Sequence, residues 1–204
     1  NKIYQILNKK FTINVGIDQR LVKFHKLKNI ESTISNHHFI ISPRVKKFKI
    51  LMNINKHVIL PKMNYKKKYD YFEIKNKSQF KKYDINELFN YQIPLKSKEY
   101  LINRYLNHPI YKYYIYAISK KKVLSLCVFR VVNAKNTNVI RMIDYIGSNK
   151  SFTNLKNFFI NIMSEFNAEY LDFYSFGIPL KILKKSGLIN KKQKKEFIVP
   201  DYFN

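Results

Sequence analysis

The sequence has few of the residues that several familiar classes of protein need. A single cysteine, Cys127, excludes a disulfide framework and any zinc or iron–sulfur site built from cysteines. Four glycines and six prolines exclude a collagen or a glycine-rich linker. No apolar run reaches the roughly 18 residues that cross a membrane as a helix, and no signal peptide is recognisable. With 46% apolar residues among 204, the chain can instead build a globular core.

Acidic residues are also scarce. The chain has 13 of them and 39 lysines and arginines, which gives a net charge of +26. Such a charge often indicates nucleic acid or an anionic surface as partner. The excess is almost entirely lysine, accompanied by the Asn, Ile, Phe and Tyr that AT-rich genomes favour, which gives the charge a compositional cause. Runs such as 120–122 are typical of solvated loops. Tyrosines interleaved with lysines at 65–71 keep nucleic-acid binding as a less favoured alternative.

Apolar periodicity predicts an α/β domain in the second half of the chain. The predicted strands cover residues 111–118, 123–132, 139–146, 169–176 and 196–202. The predicted helices cover residues 152–166 and 179–185, with a further helix inside 87–106. Antiparallel strands therefore precede a βαβ crossover, which brings strands 139–146 and 169–176 side by side in parallel.

A shorter copy of the end of this pattern stands at the N-terminus. A strand at 11–15 precedes Gly16, as the strand 169–176 precedes Gly177, and each glycine opens a lysine-rich helix followed by another strand (38–41 in the first copy). We therefore expect 1–52 to be the tail of a first similar domain, 53–86 a linker and 87–204 a second domain. Because the sequence lacks an initial methionine, we expect it to be a segment of a longer protein.

Several motifs together suggest a family. They are Arg104-Tyr105 with His108-Pro109-Ile110-Tyr111-Lys112-Tyr113, Arg141-Met142-Ile143-Asp144-Tyr145-Ile146-Gly147, Glu169-Tyr170-Leu171-Asp172-Phe173-Tyr174, and Ser186-Gly187-Leu188. On these residues the chain resembles the GNAT-like N-acyltransferases. More narrowly, it is similar to the tandem GNAT-like proteins encoded with bacterial surface-polysaccharide and nucleotide-sugar genes.

The resemblance implies a cytoplasmic enzyme that transfers an acyl group from acetyl-CoA or another acyl-CoA to an amine, such as an amino sugar of the cell envelope. Pantetheine would lie where the strand ending at Ile146 splays from the strand starting at Glu169. The pyrophosphate would sit at the helix start after Gly147, with Ser148, Lys150 and Ser151. This loop has one glycine and no arginine, so a different acyl donor, or a degenerate domain that binds without catalysis, stays open.

Three residues are candidates for catalysis. His108 could serve as a general base, or its turn before Pro109 could simply join a helix to a strand. Asp144 lies inside an apolar strand, where a carboxylate is either paired or functional, and strand alternation places it on the opposite face from Arg141. The resemblance implies a tyrosine as proton donor to the leaving thiolate, and Tyr174 is the best-placed tyrosine.

Three further residues are candidates for substrate binding, namely Arg104, Arg130 and Asp172. Arg130 lies inside an apolar run and could bind an anionic substrate or pair within the core. Asp172 alternates with apolar neighbours on the strand beside the predicted gap. Cys127, between Leu126 and Val128, is predicted to be core, and the five histidines lack metal-ligand spacing, so we predict no metal.

Overall fold

The structure is a computed structural model that describes residues 22–24, 27, 35–53, 61, 69–91, 95–193 and 198–200. The chain divides into two compact units, residues 1–34 and residues 35–204. In the first unit, residues 22–24 and 27 are helical. The predicted strand at 11–15 lies outside the described residues.

The second unit alternates strands and short helices. Its strands are β1 (Asn36–Ile41), β2 (Asp70–Ile74), β3 (Tyr114–Ser119), β4 (Val123–Ala134), β5 (Thr137–Gly147), β6 (Ala168–Ser175) and β7 (Ile189–Asn190). Its helices are α1 (Lys77–Lys82), α2 (Asn86–Phe89), α3 (Lys98–Leu101), a π-helix (Ile102–Leu106), α4 (Asn149–Phe152), α5 (Lys156–Glu165), α6 (Leu180–Lys185) and a 3-10 turn (Lys191–Gln193). No helix in this described part is long and apolar enough to span a membrane.

All seven strands form one mixed sheet in the order β2-β3-β4-β5-β6-β1-β7. Every neighbouring pair is antiparallel except β5 and β6, which run parallel and are joined through α4 and α5. The predicted antiparallel strands, βαβ crossover and flanking helices are thereby confirmed. This is the mixed α/β architecture with a βαβ crossover that the sequence predicts.

The sheet has two covered faces. Helix α5 packs its phenylalanines and isoleucines on one face, which we call the back face, against residues such as Ile140 and Leu171. The opposite, front face carries two separate apolar clusters. Helices α1 to α3 and the π-helix cover the half near β3, and the chain after β1, with Ile50 and Leu51, covers the half near β6. The strip of front face between these clusters holds the polar residues described below.

The N-terminal boundary of the second unit differs from the predicted domain boundaries. Strand β1 comes from the predicted tail 1–52 and inserts between β6 and β7 of the same sheet. Strand β2 and helix α1 come from the predicted linker 53–86. The compact unit therefore begins at Ser35. Descent of residues 1–52 from a first copy of the domain stays a prediction.

The predicted helix 152–166 is divided into two shorter helices, α4 and α5. Between α4 and α5, the side chains of Thr153 and Asn154 both donate to the carbonyl of Lys150, which competes with the helical backbone pattern. The helix predicted inside 87–106 is present, because α3 and the π-helix follow one another over 98–106 and the side chain of Ser97 caps α3. In the predicted strand 196–202, Ile198 makes an isolated bridge with Met52, and 196–197 and 201–202 lie outside the described residues.

Candidate functional site

A gap opens in the sheet between β5 and β6. Within these described strands, the parallel pairing runs from Asn138–Ala168 to Met142–Phe173 and ends there. Strand β5 nevertheless continues to Gly147 and β6 to Ser175. We call this region, bounded by Ile143–Gly147 and Tyr174–Ser175, the strand gap. Its backbone groups can pair with an extended ligand as an added strand would.

A β-bulge at the start of the strand gap changes which residues share a face. Val128 lies opposite Asp144 while the next residue, Phe129, lies opposite Met142, so Ile143 is the extra residue of β5. Regular alternation would place Asp144 and Arg141 on opposite faces. The bulge instead brings both side chains to the front face, which corrects the expectation from the sequence.

Asp144 is held in a compact polar cluster. Lys96 Nζ lies 2.6 Å from both carboxylate oxygens, and the hydroxyl of Tyr105 donates to Oδ2 at 2.9 Å. The backbone N–H of Tyr145 donates to Oδ1 at 2.9 Å. Burial, with the adjacent negative charge of Asp144, raises the pKa of Tyr105, so this phenol stays protonated and donates. The contacts are those of a paired carboxylate, and catalysis by Asp144 stays a prediction.

Asp172 is the centre of a second cluster on the front face. Arg141 binds it through two parallel hydrogen bonds, Nε to Oδ1 at 3.1 Å and Nη2 to Oδ2 at 2.8 Å. His37 Nε2 lies 3.0 Å from Oδ2, and its ring stacks on Tyr174 at 4.1 Å between centroids. Burial lowers the pKa of Arg141, but the hydrogen bonds and charge of Asp172 outweigh it and raise that pKa.

His108 and Arg130 meet in a cluster of aromatic rings beside β3. His108 Nδ1 accepts the backbone N–H groups of Ile110 at 3.2 Å and Tyr111 at 3.0 Å. A neutral imidazole that accepts at Nδ1 carries its proton on Nε2. The two hydrogen bonds fit the alternative in which His108 is part of a turn that joins a helix to a strand. Its action as a base stays a prediction. The guanidinium of Arg130 lies over the Tyr111 ring, 3.8 Å from its centroid.

The loop after β5 fits a phosphate group only in part. Gly147 has φ +152°, and a Cβ there would lie 2.6 Å from the Cβ of Ser125, so this glycine is needed for packing against β4. Ser148 Oγ caps α4 by accepting the N–H of Ser151 at 3.2 Å, which uses one donor that a phosphate would need. Lys150 is exposed at the helix start and can approach an anion.

Sequence reasoning missed His37, Lys96 and the role of Arg141. His37 lies in β1, next to the strand predicted at 38–41. Because that strand is predicted to belong to another domain, the sequence does not indicate that His37 contacts Asp172. Lys96 is one lysine among many, and no spacing marks it. Arg104 is exposed in the π-helix beside Tyr105. The described residues contain no group of three or more His, Cys, Asp or Glu that could hold a metal ion.

No protein-family model matches the sequence, and no curated protein matches it. Among solved structures, the chain is similar to a GCN5-related N-acetyltransferase from Anabaena variabilis, at 13% identity and a TM-score of 0.45 over 85% of this chain and 46% of that one. It is also similar to a functionally unknown conserved protein from Staphylococcus epidermidis, at 10% identity and a TM-score of 0.53 over 93% and 75%. The chain spans less than half the length of the first protein. At 10% identity the second likeness concerns the fold alone.

Proposed function

We propose that residues 35–204 form an acyltransferase-like domain that transfers an acyl group from acyl-CoA to an amine, such as an amino sugar of the bacterial cell envelope. The observation that carries the proposal is the strand gap. Parallel β5 and β6 stop pairing at Met142–Phe173 although both strands continue, which leaves backbone donors and acceptors in position for an extended pantetheine arm.

The strand gap fits the pantetheine arm better than the following loop fits the phosphates. The backbone of Ile143–Gly147 would bind the arm, and Lys150 with the hydroxyl of Ser148 would face the phosphates. Acyl-CoA, when bound, supplies a thioester carbonyl that an amine attacks. Tyr174, the first residue of β6 beyond the last pair, is our proposed proton donor to the departing thiolate. Its ring orientation is fixed by stacking on His37.

Thermal unfolding with and without acetyl-CoA tests the cofactor site. Saturation at about 100 times the Kd stabilises a protein by roughly 2.7 kcal/mol, which is a shift of several degrees at this size. The scan is made at low and at moderate salt, with inorganic tripolyphosphate as the control anion, because an exposed Lys-rich surface binds polyanions weakly when salt is present. A shift that acetyl-CoA causes at moderate salt and tripolyphosphate does not would support the site.

Matched variants locate that shift. Lys150→Gln should weaken acetyl-CoA binding several-fold, whereas Lys121→Gln, an exposed lysine in the β3–β4 turn, should leave it unchanged. Equal effects of the two variants, or no shift with the parent protein, would refute acyl-CoA binding in the strand gap. Release of free thiol from acetyl-CoA in the presence of a panel of amino sugars then tests transfer itself.

A domain that binds but does not catalyse is the second candidate. The capping of Ser151 by Ser148 and the single glycine of the loop favour it, because both reduce the donors left for a pyrophosphate. Such a domain would show binding without thiol release. For both candidate functions we expect a cytoplasmic location, where acyl-CoA is made. For neither do we expect nucleic acid as a partner.

A further inference from the structure

Two arginines lie side by side on the front face of the sheet. Of the 39 lysines and arginines, only five are arginines, so the chain uses lysine almost everywhere a surface charge suffices. Arg130 of β4 and Arg141 of β5 are directly opposite each other in the antiparallel register. Like charges in that position destabilise a sheet. Their placement therefore calls for a compensating negative charge.

Among the described residues, a carboxylate compensates the charge of Arg141 but not that of Arg130. Asp172 binds Arg141 through two hydrogen bonds along one edge of the guanidinium, from Nε and Nη2. Arg130 is half-buried and stacks on the face of Tyr111, and no carboxylate of the described residues forms an ion pair with it. A guanidinium that lies over an aromatic ring does not use its N–H donors in that contact, because they lie in its own plane. A half-buried cation that has no carboxylate partner among the described residues can therefore donate to an external anion.

The position of this pair relates it to the strand gap. Arg141 is one residue before Met142, where the parallel pairing with β6 ends. At about 3.3 Å per residue, the pair is on the order of 7 Å from the bulged Ile143 at the start of the gap. A group bound by Arg130 would therefore stand on the front face, close to the place where the proposed transfer occurs.

We propose that Arg130, which lies over the Tyr111 ring and opposite Arg141 in the strand register, is a subsite for an oxyanion group. This group would be a phosphate or a carboxylate carried by the amine acceptor. A planar guanidinium binds two oxygens of such a group at once, which lysine cannot do. The assignment to the acceptor rests on the proposed function, whereas the oxyanion site itself rests on the geometry alone. The acceptor would then be an amine bearing an acidic group.

Nuclear magnetic resonance of the arginine Nε–H groups tests the site directly in the full chain, since only five such signals arise. Inorganic phosphate and acetate are titrated separately at constant ionic strength. We expect one of the two anions to shift the Arg130 signal saturably, and the anion that does so identifies phosphate or carboxylate as the group. Arg44, which is exposed, should shift weakly and without saturation. An Arg130 signal that stays still with both anions, or that follows Arg44, would overturn the proposal.

Variants and acetyl-CoA complete the test. Arg130→Lys should weaken binding of the active anion about tenfold, because the charge remains but the planar pair of donors is lost. Lys121→Gln should change it less than about twofold, as expected for screened exposed charges. Equal binding by Arg130→Lys and the parent protein would refute the guanidinium subsite.

Acetyl-CoA, added at saturation, separates this inference from the proposed function. Simultaneous binding of acetyl-CoA and the anion would support an acceptor subsite, whereas displacement of the anion by acetyl-CoA would overturn the assignment to the acceptor. If acetyl-CoA does not bind while Arg130 still titrates with the anion, the proposed function fails and the oxyanion site stands.

Discussion

Replacement of Asp172 by asparagine tests the polar cluster on which the site geometry depends. The Asp172 carboxylate is 1% exposed and lies within hydrogen-bond distance of three nitrogen atoms, two from Arg141 and one from His37. Asparagine keeps the size of the side chain but removes its charge. Its NH2 group would also face the N–H groups of Arg141. The substitution therefore leaves a guanidinium, itself 16% exposed, without a counter-charge.

Removing one partner of a buried ion pair costs about 3–5 kcal/mol. In a chain of this length, each 1 kcal/mol lowers the unfolding midpoint by about 2–4 °C, so we expect a decrease of roughly 6–20 °C. Most of that cost comes from the uncompensated charge of Arg141. The double variant Arg141→Met, Asp172→Leu should therefore recover part of the loss, because two apolar side chains replace the pair.

Thermal and urea unfolding, followed by circular dichroism, measure this effect. Glu87→Gln is the matched control, because it neutralises the carboxylate of the exposed Glu87–Lys122 pair, and we expect no resolvable change in midpoint. A decrease below about 1 kcal/mol for Asp172→Asn would refute the argument, since that is the range of an exposed pair. A double variant no more stable than the single one would refute its second step.

Three other predictions concern individual residues. Gly147→Ala should lower the free energy of unfolding by more than about 1 kcal/mol, because its φ of +152° and the Cβ of Ser125, 2.6 Å from the new Cβ, both oppose a side chain. Gly177→Ala, with open space around the new Cβ, should lower it less in the same urea titration. Burial lowers the pKa of His38 below its ordinary 6.5, so the unfolded chain binds the proton more tightly than the folded one, and the free energy of unfolding should fall as the pH drops below about 6.5. Unfolding titrations at several pH values should show this decrease, and His38→Asn should make it smaller. Burial raises the pKa of the Cys127 thiol, so iodoacetamide should label this single cysteine slowly in the native protein and rapidly in urea, and equal rates would contradict its place in the core.

The sheet from β3 to β6 was predictable because its signals are local. Alternating apolar and aromatic residues define the strands, and the i, i+3, i+4 pattern defines the helix between β5 and β6. Buried Cys127 also follows from its apolar neighbours. The insertion of β1 between β6 and β7 was not predictable, because it depends on pairing between residues about 135 positions apart in sequence, such as His37 and Tyr174. The edge strand β2 was likewise hidden in a lysine-rich segment.

The β-bulge explains why the candidate site was harder to predict than the fold. Alternation assigns Arg141 and Asp144 to opposite faces, and only the extra residue Ile143 brings them to the same one. Nothing in the local sequence marks Ile143 as bulged, since it is apolar like its neighbours. One added residue thus places Asp144 beside Lys96 and Tyr105 on the front face.

Asp144 and Asp172, the carboxylates described beside the strand gap, show how the sheet accommodates buried charges there. Asp144 is bound by Lys96 and Asp172 by Arg141, so each negative charge is neutralised by a cation from a different part of the chain. Arg130 is then the cation of this strip whose charge the described residues leave uncompensated. This contrast between two compensated carboxylates and Arg130, which lies on the order of 7 Å from the start of the strand gap, is the basis of the oxyanion subsite that we propose.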